Sequence, residues 1–374
     1  MTFRRNPSYY DRPLTAFKIE PEPIFSYVKS FAPATIANVG PGSNQNQVNC
    51  AIDGSIGNYV SVRIDPEVTP GTPAISDING VIPKGYYPEI SSAALQVMTK
   101  LGIKTVGLSL SIEKGLPPSW SIESKAATDA AVLVAVNELF GRKLSVSELI
   151  QAGVDGLSLL EWEDPDYQVF FIGNLMTVIM GSFVMIHRHL SPLEINPLEF
   201  PAEKELFFIF VNPEIDIENS CRQEMGASIK ETQKDYAKTK TKPHSSEYCG
   251  QNAPLIPGFE VIRETAEGKA MRCRIIKNRV SDDDDDDYLE KVMEESKSKI
   301  PGLAKVMKVA LEEGAFGCKL VGPKVIVAVI DDMEKGKEIG YRMVEAFLNH
   351  GGGLKASAMV HKLDRVGARV ISRE

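Results

Sequence analysis

The chain is 374 residues long, 43% hydrophobic and 25% charged, and carries a formal net charge of −8. It is long enough for two domains with cores of their own, too acidic for nucleic acid to be its main partner, and free of any apolar run of the roughly 18 residues a membrane span needs. Its five cysteines, Cys50, Cys221, Cys249, Cys273 and Cys318, show neither CxxC nor zinc-site spacing and read as structural thiols of a reducing compartment.

Residues 1–24 hold Pro7, Pro13, Pro21 and Pro23 among mixed charges and read as a poorly ordered tail. Its Asp11, Glu20 and Glu22 do not suit an Arg- and Ser-rich targeting sequence, so the expected location is the cytoplasm. A strand is predicted through 27–31, strands over 48–64, and a helix over 91–101 that Gly102 ends. Gln45, Asn46 and Gln47 form an amide cluster, read either as part of a binding surface or as a polar turn in water.

Residues 114–140 are the most informative stretch. A Pro-broken loop, Gly115-Leu116-Pro117-Pro118-Ser119-Trp120-Ser121, passes into a run of Ala, Val and Leu that is apolar on nearly every side and must be buried. Ser121 and Ser124 are candidate N-caps, Glu123 suits the positive end of the helix dipole, and Gly141 is the expected stop. Free N–H groups and the dipole make the head of such a helix an anion site, which directs attention to this loop for function.

Another helix is predicted from 145–152. Residues 175–186 are apolar and rich in β-formers and are predicted as a central strand pair. His187 and His189, two apart on a continuing strand, point to opposite faces and are not expected to share a metal. A strand at 206–212 opens the second half. The lysine-rich 230–242 and the acidic run Asp282 to Asp287 read as solvated loops, and strands are predicted at 325–330 and within 356–371.

Six blocks carry a resemblance to a known family: Phe31-Ala32-Pro33-Ala34-Thr35-Ile36-Ala37-Asn38-Val39-Gly40-Pro41-Gly42, Val106-Gly107-Leu108-Ser109-Leu110, Lys114-Gly115-Leu116-Pro117, Asn137-Glu138-Leu139-Phe140-Gly141-Arg142-Lys143-Leu144, Gly314-Ala315-Phe316-Gly317-Cys318 and Lys362-Leu363-Asp364-Arg365-Val366-Gly367-Ala368-Arg369-Val370. In this order they resemble plant homoserine kinase, of the GHMP kinase superfamily that also contains galactokinase and mevalonate kinase. The resemblance covers residues 28–190 and 300–374. It implies an α+β fold of two domains: an N-terminal α/β domain of ribosomal-protein-S5-like type over 25–200, and a ferredoxin-like C-terminal domain over 201–374 with a divergent insert over 223–299. It also implies a homodimer.

The resemblance gives the loop its meaning. The family pattern P-L-G-S-G-L-G-S-S-A-A-S wraps ATP phosphates with its glycines, and a serine of the Ser-Ser pair helps hold magnesium. Here the matching residues are Pro117-Pro118-Ser119-Trp120-Ser121-Ile122-Glu123-Ser124-Lys125-Ala126-Ala127-Thr128. Every loop glycine is replaced, and Glu123 sets a carboxylate against a polyphosphate. Other nucleotide elements also differ. Lys84-Gly85-Tyr86-Tyr87-Pro88-Glu89 replaces the adenine segment, Val321-Gly322-Pro323-Lys324 the third motif, and Phe171, Gly173 and Asn174 stand at the three positions of a His-x-Asp-Asn motif. Asp155 or Glu161 is the candidate for the magnesium carboxylate.

On the substrate side the resemblance implies that Asn38 faces the ligand, that Asn44 stands where an aspartate takes the amino group, and that Arg222 grips a carboxylate. Glu218 replaces a threonine beside the transfer site. Because core blocks are kept while nucleotide elements change, the expected function is that of a homoserine-kinase-like protein that has lost ATP phosphotransfer. It would serve as a cofactor-free isomerase, cyclase, condensing enzyme or lyase on a polar or carboxylate-bearing metabolite of plant specialised metabolism. Glu123, Lys125 and Glu218 are its proton-transfer candidates, and Asn38, Asn44, Trp120, Asn174 and Arg222 its ligand contacts. Two alternatives stay open. One is a non-catalytic pseudokinase that binds or regulates a true homoserine kinase. The other is an ATP-dependent homoserine kinase with a remodelled loop, the only reading that needs ATP and magnesium; a plastid location would follow the family.

Overall fold

In the computed structural model, residues 19–40, 46–81, 88–116, 121–158, 165–187, 194–215, 255–263, 271–275, 300–321 and 324–374 are described. The first sheet is built on two long strands, β1 (Tyr27–Ile36) and β2 (Asn46–Ile64), paired antiparallel along most of their length. Residues 48–64, read as strands, are one continuous strand. Its register jumps between Pro33 and Ala34, opposite Gly57 and Ile52. Gly57 is required there, since a Cβ would come 2.3 Å from the Ala32 carbonyl oxygen.

Beyond this jump β2 divides its other edge. Its first half pairs with β5 (Phe183–His187) and its second with β4 (Leu108–Lys114). β3 (Pro73–Ile78) lies parallel to β4, and α1 (Pro88–Leu101) makes the crossover that a parallel pair needs. Gly102, at φ 74, closes α1, with Ile103 N donating to Met98 O.

α2 (Ser121–Leu139) follows β4 and lies against β1 and β2. Its last turn ends at Gly141, φ 80, as the sequence leads one to expect. α3 (Val146–Ser158) starts from a capping box in which Ser145 N donates to Glu148 Oε2 and Glu148 N to Ser145 Oγ. The predicted strand pair at 175–186 is corrected here. Residues 175–180 end a helix, α4 (Pro165–Met180), and only Phe183–His187 is strand. Nearly every described side chain of α4 is buried, so its 3.6-residue period is invisible in the sequence, and Gly181 and Ser182, at φ 73 and 58, make the break.

β6 (Glu194–Glu199), β9 (Met271–Ile275) and β8 (Phe259–Arg263) extend the same sheet, and β13 (Arg369–Arg373) closes its far edge against β1. Segments from beyond residue 200 thus return to the first sheet, so hydrogen bonding groups the strands differently from a division at that point. The second sheet has the order β10 (Gly317–Val321), β11 (Val325–Ile330), β7 (Phe207–Pro213), β12 (Ala356–Lys362), all antiparallel. With α5 (Leu303–Glu312) after β7 and α6 (Met333–His350) after β11, its connectivity is the expected ferredoxin-like one. Asp332 caps α6, accepting from Lys335 N at 2.8 Å.

The C-terminal block Lys362–Val370, singled out in the sequence, ties β13 in place. Asp364 accepts from Val366 N and Gly367 N and pairs with Arg369, which also reaches Asp53 at 2.9 Å and stacks over Phe31. At the other end, residues 19–24 of the expected tail are anchored: Glu20 accepts from the Lys104 and Thr105 amides, and Ile24 N donates to Leu139 O. Residues 1–18 lie outside the described residues. Cys50, Cys273 and Cys318 are buried free thiols, each pushed above the ordinary thiol range by burial; Cys221 and Cys249 lie outside.

Glu138, at the end of α2, is bonded by Arg142 and by Arg373 of β13. Burial raises its carboxyl pKa, but the bonds from Arg142 and Arg373 outweigh this and leave it below its usual value. A depressed carboxyl gives stability that is present above its unfolded value of 4.5 and is lost as pH falls through the folded value. Glu138→Gln is therefore expected to cost about 1–3 kcal/mol at pH 7. The difference from wild type should close as pH falls below that value, read by urea unfolding across pH.

Candidate functional site

Lys125 stands one turn into α2. Its ammonium is directed along the helix to Asp129, Nζ to Oδ2 2.8 Å, with the two side chains 10% and 1% exposed. The same Nζ lies 5.3 Å from the centre of the Phe171 ring on α4. The other oxygen of Asp129, Oδ1, is buried with no hydrogen-bond partner among the described residues. Burial pushes the Asp129 carboxyl above its usual value, and the Lys125 charge opposes that without cancelling it.

Ser124, a candidate cap in the sequence, is instead a buried residue inside α2. Its carbonyl accepts from Asn58 Nδ2 at 2.9 Å and from Thr128 Oγ1 at 2.8 Å, while Asn58 Oδ1 accepts from Gly115 N. Asn58 thereby joins β2, the entrance of the loop and the first turns of α2.

Asn174 follows Phe171 by one turn of α4 and is fully buried. Its Oδ1 accepts from Thr35 Oγ1 at 2.8 Å and Asn49 Nδ2 at 3.3 Å, and its Nδ2 donates to Phe170 O. Gln47 Nε2 donates to Asn49 Oδ1, so Gln47 belongs to a buried network and not to a turn in water. At Gly173 a Cβ would come 2.2 Å from the end of the Ile186 side chain, so an aspartate there would require that side chain to shift.

Asn38 adopts φ 55, just past the end of β1. Its carbonyl accepts from Leu255 N and from Lys319 Nζ, and Lys319 also donates to Ala37 O at 2.7 Å. Lys319 comes from β10 of the second sheet and is 3% exposed. Asp155 is paired with Lys100 of α1 and accepts from Gln151. Asn44, Trp120, Glu161, Glu218, Arg222 and the side chain of Glu123 lie outside the described residues; the backbone of Glu123 is in the first turn of α2.

Of the sequence candidates, the structure places Lys125 and Asn174 at neighbouring turns of the α2–α4 contact, both turned to protein partners. It adds Asp129 and Lys319, which the sequence reading passed over. Each had a signal: a charged residue within a run of apolar ones, which a folded chain must pair. Of the two positions that match the Ser-Ser pair, 124 keeps its serine, while Lys125, an ammonium bonded to a carboxylate, has no lone pair to offer a metal.

Replacing Lys125 by Met leaves Asp129 buried without its counter-charge, an expected loss of about 3–5 kcal/mol at neutral pH. The Asp129 pKa then rises further above its unfolded 3.8, so the folded state binds a proton more tightly than the unfolded state. The deficit should be smallest near the unfolded value and grow as pH rises to the folded value. Lys125→Met with Asp129→Leu should recover most of it, as read by denaturant unfolding at several pH values.

No family model matches the chain. It is 39% identical over 365 residues to a homoserine kinase of Arabidopsis thaliana, covering 96% of this chain and 88% of that one. It is 28% identical over 356 residues to a homoserine kinase of Chlorobium phaeovibrioides, covering 92% and 99%. Among solved structures, a homoserine kinase from Cytophaga hutchinsonii matches with a TM-score of 0.61 at 22% identity, over 94% of this chain and 99% of that one. A mevalonate kinase matches at 0.53 and 12%, over 91% and 99%. These two share its fold. By its identity to the Arabidopsis enzyme along nearly its whole length, the chain belongs to the homoserine kinase family, within the GHMP kinase superfamily.

Proposed function

We propose that this homoserine-kinase-like chain no longer transfers phosphate from ATP, and that its pocket serves cofactor-free proton-transfer chemistry on a polar or carboxylate-bearing metabolite. The observation that carries the first half is the Lys125–Asp129–Phe171 cluster. Two positions at which the sequence departs from the family pattern, 125 and 171, touch each other, and the cation introduced at one is neutralised by Asp129. They pack together in one cluster, which favours a reshaped nucleotide end over a loosened one. The residues of the loop itself support the same reading, with no glycine to bring a backbone against phosphates and a carboxylate at Glu123.

For the chemistry, Glu123 and Glu218 are the proton-transfer candidates and Arg222 the carboxylate contact. Lys125, engaged with Asp129, is better placed to hold the head of α2 than to shuttle protons. That engagement, with the inward setting of Asn174, favours a second reading in which the chain binds a metabolite or a true homoserine kinase without turnover. ATP-dependent homoserine phosphorylation draws its support from the Arabidopsis relative. A homodimer and a cytoplasmic or plastid location are expectations of the family.

Calorimetry of the purified chain with ATP and magnesium tests the proposal, with Trp120 fluorescence as a second readout. The expected outcome is no binding at millimolar nucleotide and no phosphorylation of homoserine. Micromolar binding with turnover would overturn it. A metabolite that binds and is converted by wild type but not by Glu123→Gln or Glu218→Gln would favour the enzyme over the binding protein.

A further inference from the structure

The helices of the first half all pack on one face of the first sheet. On the other face, β1, β2, β4 and β3 form a shallow cavity of about 570 Å³, within the usual range for small-molecule sites. Its lining follows from the register. Tyr27, Arg63 and Ser109 lie opposite one another in one row, and Ser61, Ser111 and Asp77 in the next. The irregularity between Ile75 and Asp77 accompanies Ser76, which joins the same wall.

The side chains here are short where a solvent face usually carries long ones, and this makes the trough. Ser76 is committed to Leu110 O, and Ser61 to the Tyr27 hydroxyl. Ser109 and Ser111 are different. No hydrogen-bond partner is found for either hydroxyl among the described residues, although Ser109 is only 4% exposed. Both line the cavity, so each hydroxyl can donate to and accept from a molecule held there.

The charges are balanced. Arg63, loosely paired with Asp65 at 3.6 Å, stands in the first row, and Asp77, which holds the Gly80 amide, in the second. An anion would meet Asp77 and a cation Arg63. Hydroxyls both donate and accept, and so do the groups they bind best. We propose that this face is a second binding site, taking a neutral polyhydroxylated small molecule such as a sugar or cyclic polyol. Serine hydroxyls would form its floor, and Arg63 and Asp77 would bracket neighbouring hydroxyls from opposite corners. The site is on the sheet face turned away from α2 and stands independently of the function proposed above.

Saturation-transfer NMR and calorimetry on the full chain test this, with myo-inositol and sucrose as probes and inorganic phosphate and L-serine as controls. The expected result is saturation transfer to at least one polyol, with affinity weakened about tenfold, or about 1.4 kcal/mol, in a Ser109→Val, Ser111→Val variant. Valine suits a strand, so the fold and unfolding midpoint should be kept. If the double variant does not fold, Ser111→Ala and Arg63→Gln are read in its place. No transfer at millimolar polyol, equal transfer in the variants, or binding of phosphate or serine instead of the polyols would each overturn the proposal.

Discussion

A helix that is apolar on every face has no solvent side, and the arrangement of the first half of this molecule answers to that requirement. α2 lies on β1 and β2, is flanked by α1 and α4, and is overlaid by α3. Its polar residues are therefore answered individually. Lys125 and Asp129 neutralise each other, Ser124 and Thr128 bond to Asn58, and Glu138, placed at the negative end of the helix dipole, is held by two arginines. One of those arginines is on β13, so the same residue ties α2 to the edge strand of the first sheet.

The two sheets are joined by contacts of the same kind. Gly181 and Gly367 pass so close that a Cβ on either would strike the other's backbone, which lets the segment after β12 lie across the end of α4. Ser182 N donates to Asp364 O and Asp364 N to Ala51 O. Lys319 crosses from the second sheet to the carbonyls of Ala37 and Asn38 and sets the peptide from which Asn38 projects. The candidate substrate side is thus shaped jointly by the end of β1 and by β10.

The family relationship and the altered residues are compatible once they are placed in space. The fold depends on burial, which many apolar sequences satisfy, and identity to a homoserine kinase along nearly the whole chain carries it. Nucleotide binding depends on a few backbone positions that must admit phosphate. In this chain Lys125 and Asp129 form a packed ion pair beside the Phe171 ring. Fold and site respond to different physical demands, so one can be kept while the other moves.

Much of the architecture was legible in the sequence. The apolar run after residue 121 announced a buried helix, Gly102 and Gly141 announced helix ends, and the motif blocks announced the family, because burial and positive φ restrict residue choice locally. Residues 175–180 were not legible as helix, since a segment buried on all sides shows no period. Nor was the partnership of Lys125, where spacing alone offers both Asp129 and solvent. Asn174, which the motif suggested as a ligand contact, proved to face Thr35 and Asn49. The sequence alone determined the fold class and the central helix, and it has no glycine over 117–128. Only the tertiary structure decided which polar groups face a ligand and which face each other, because that depends on side chains distant in the chain arriving within hydrogen-bond reach in a space that excludes water.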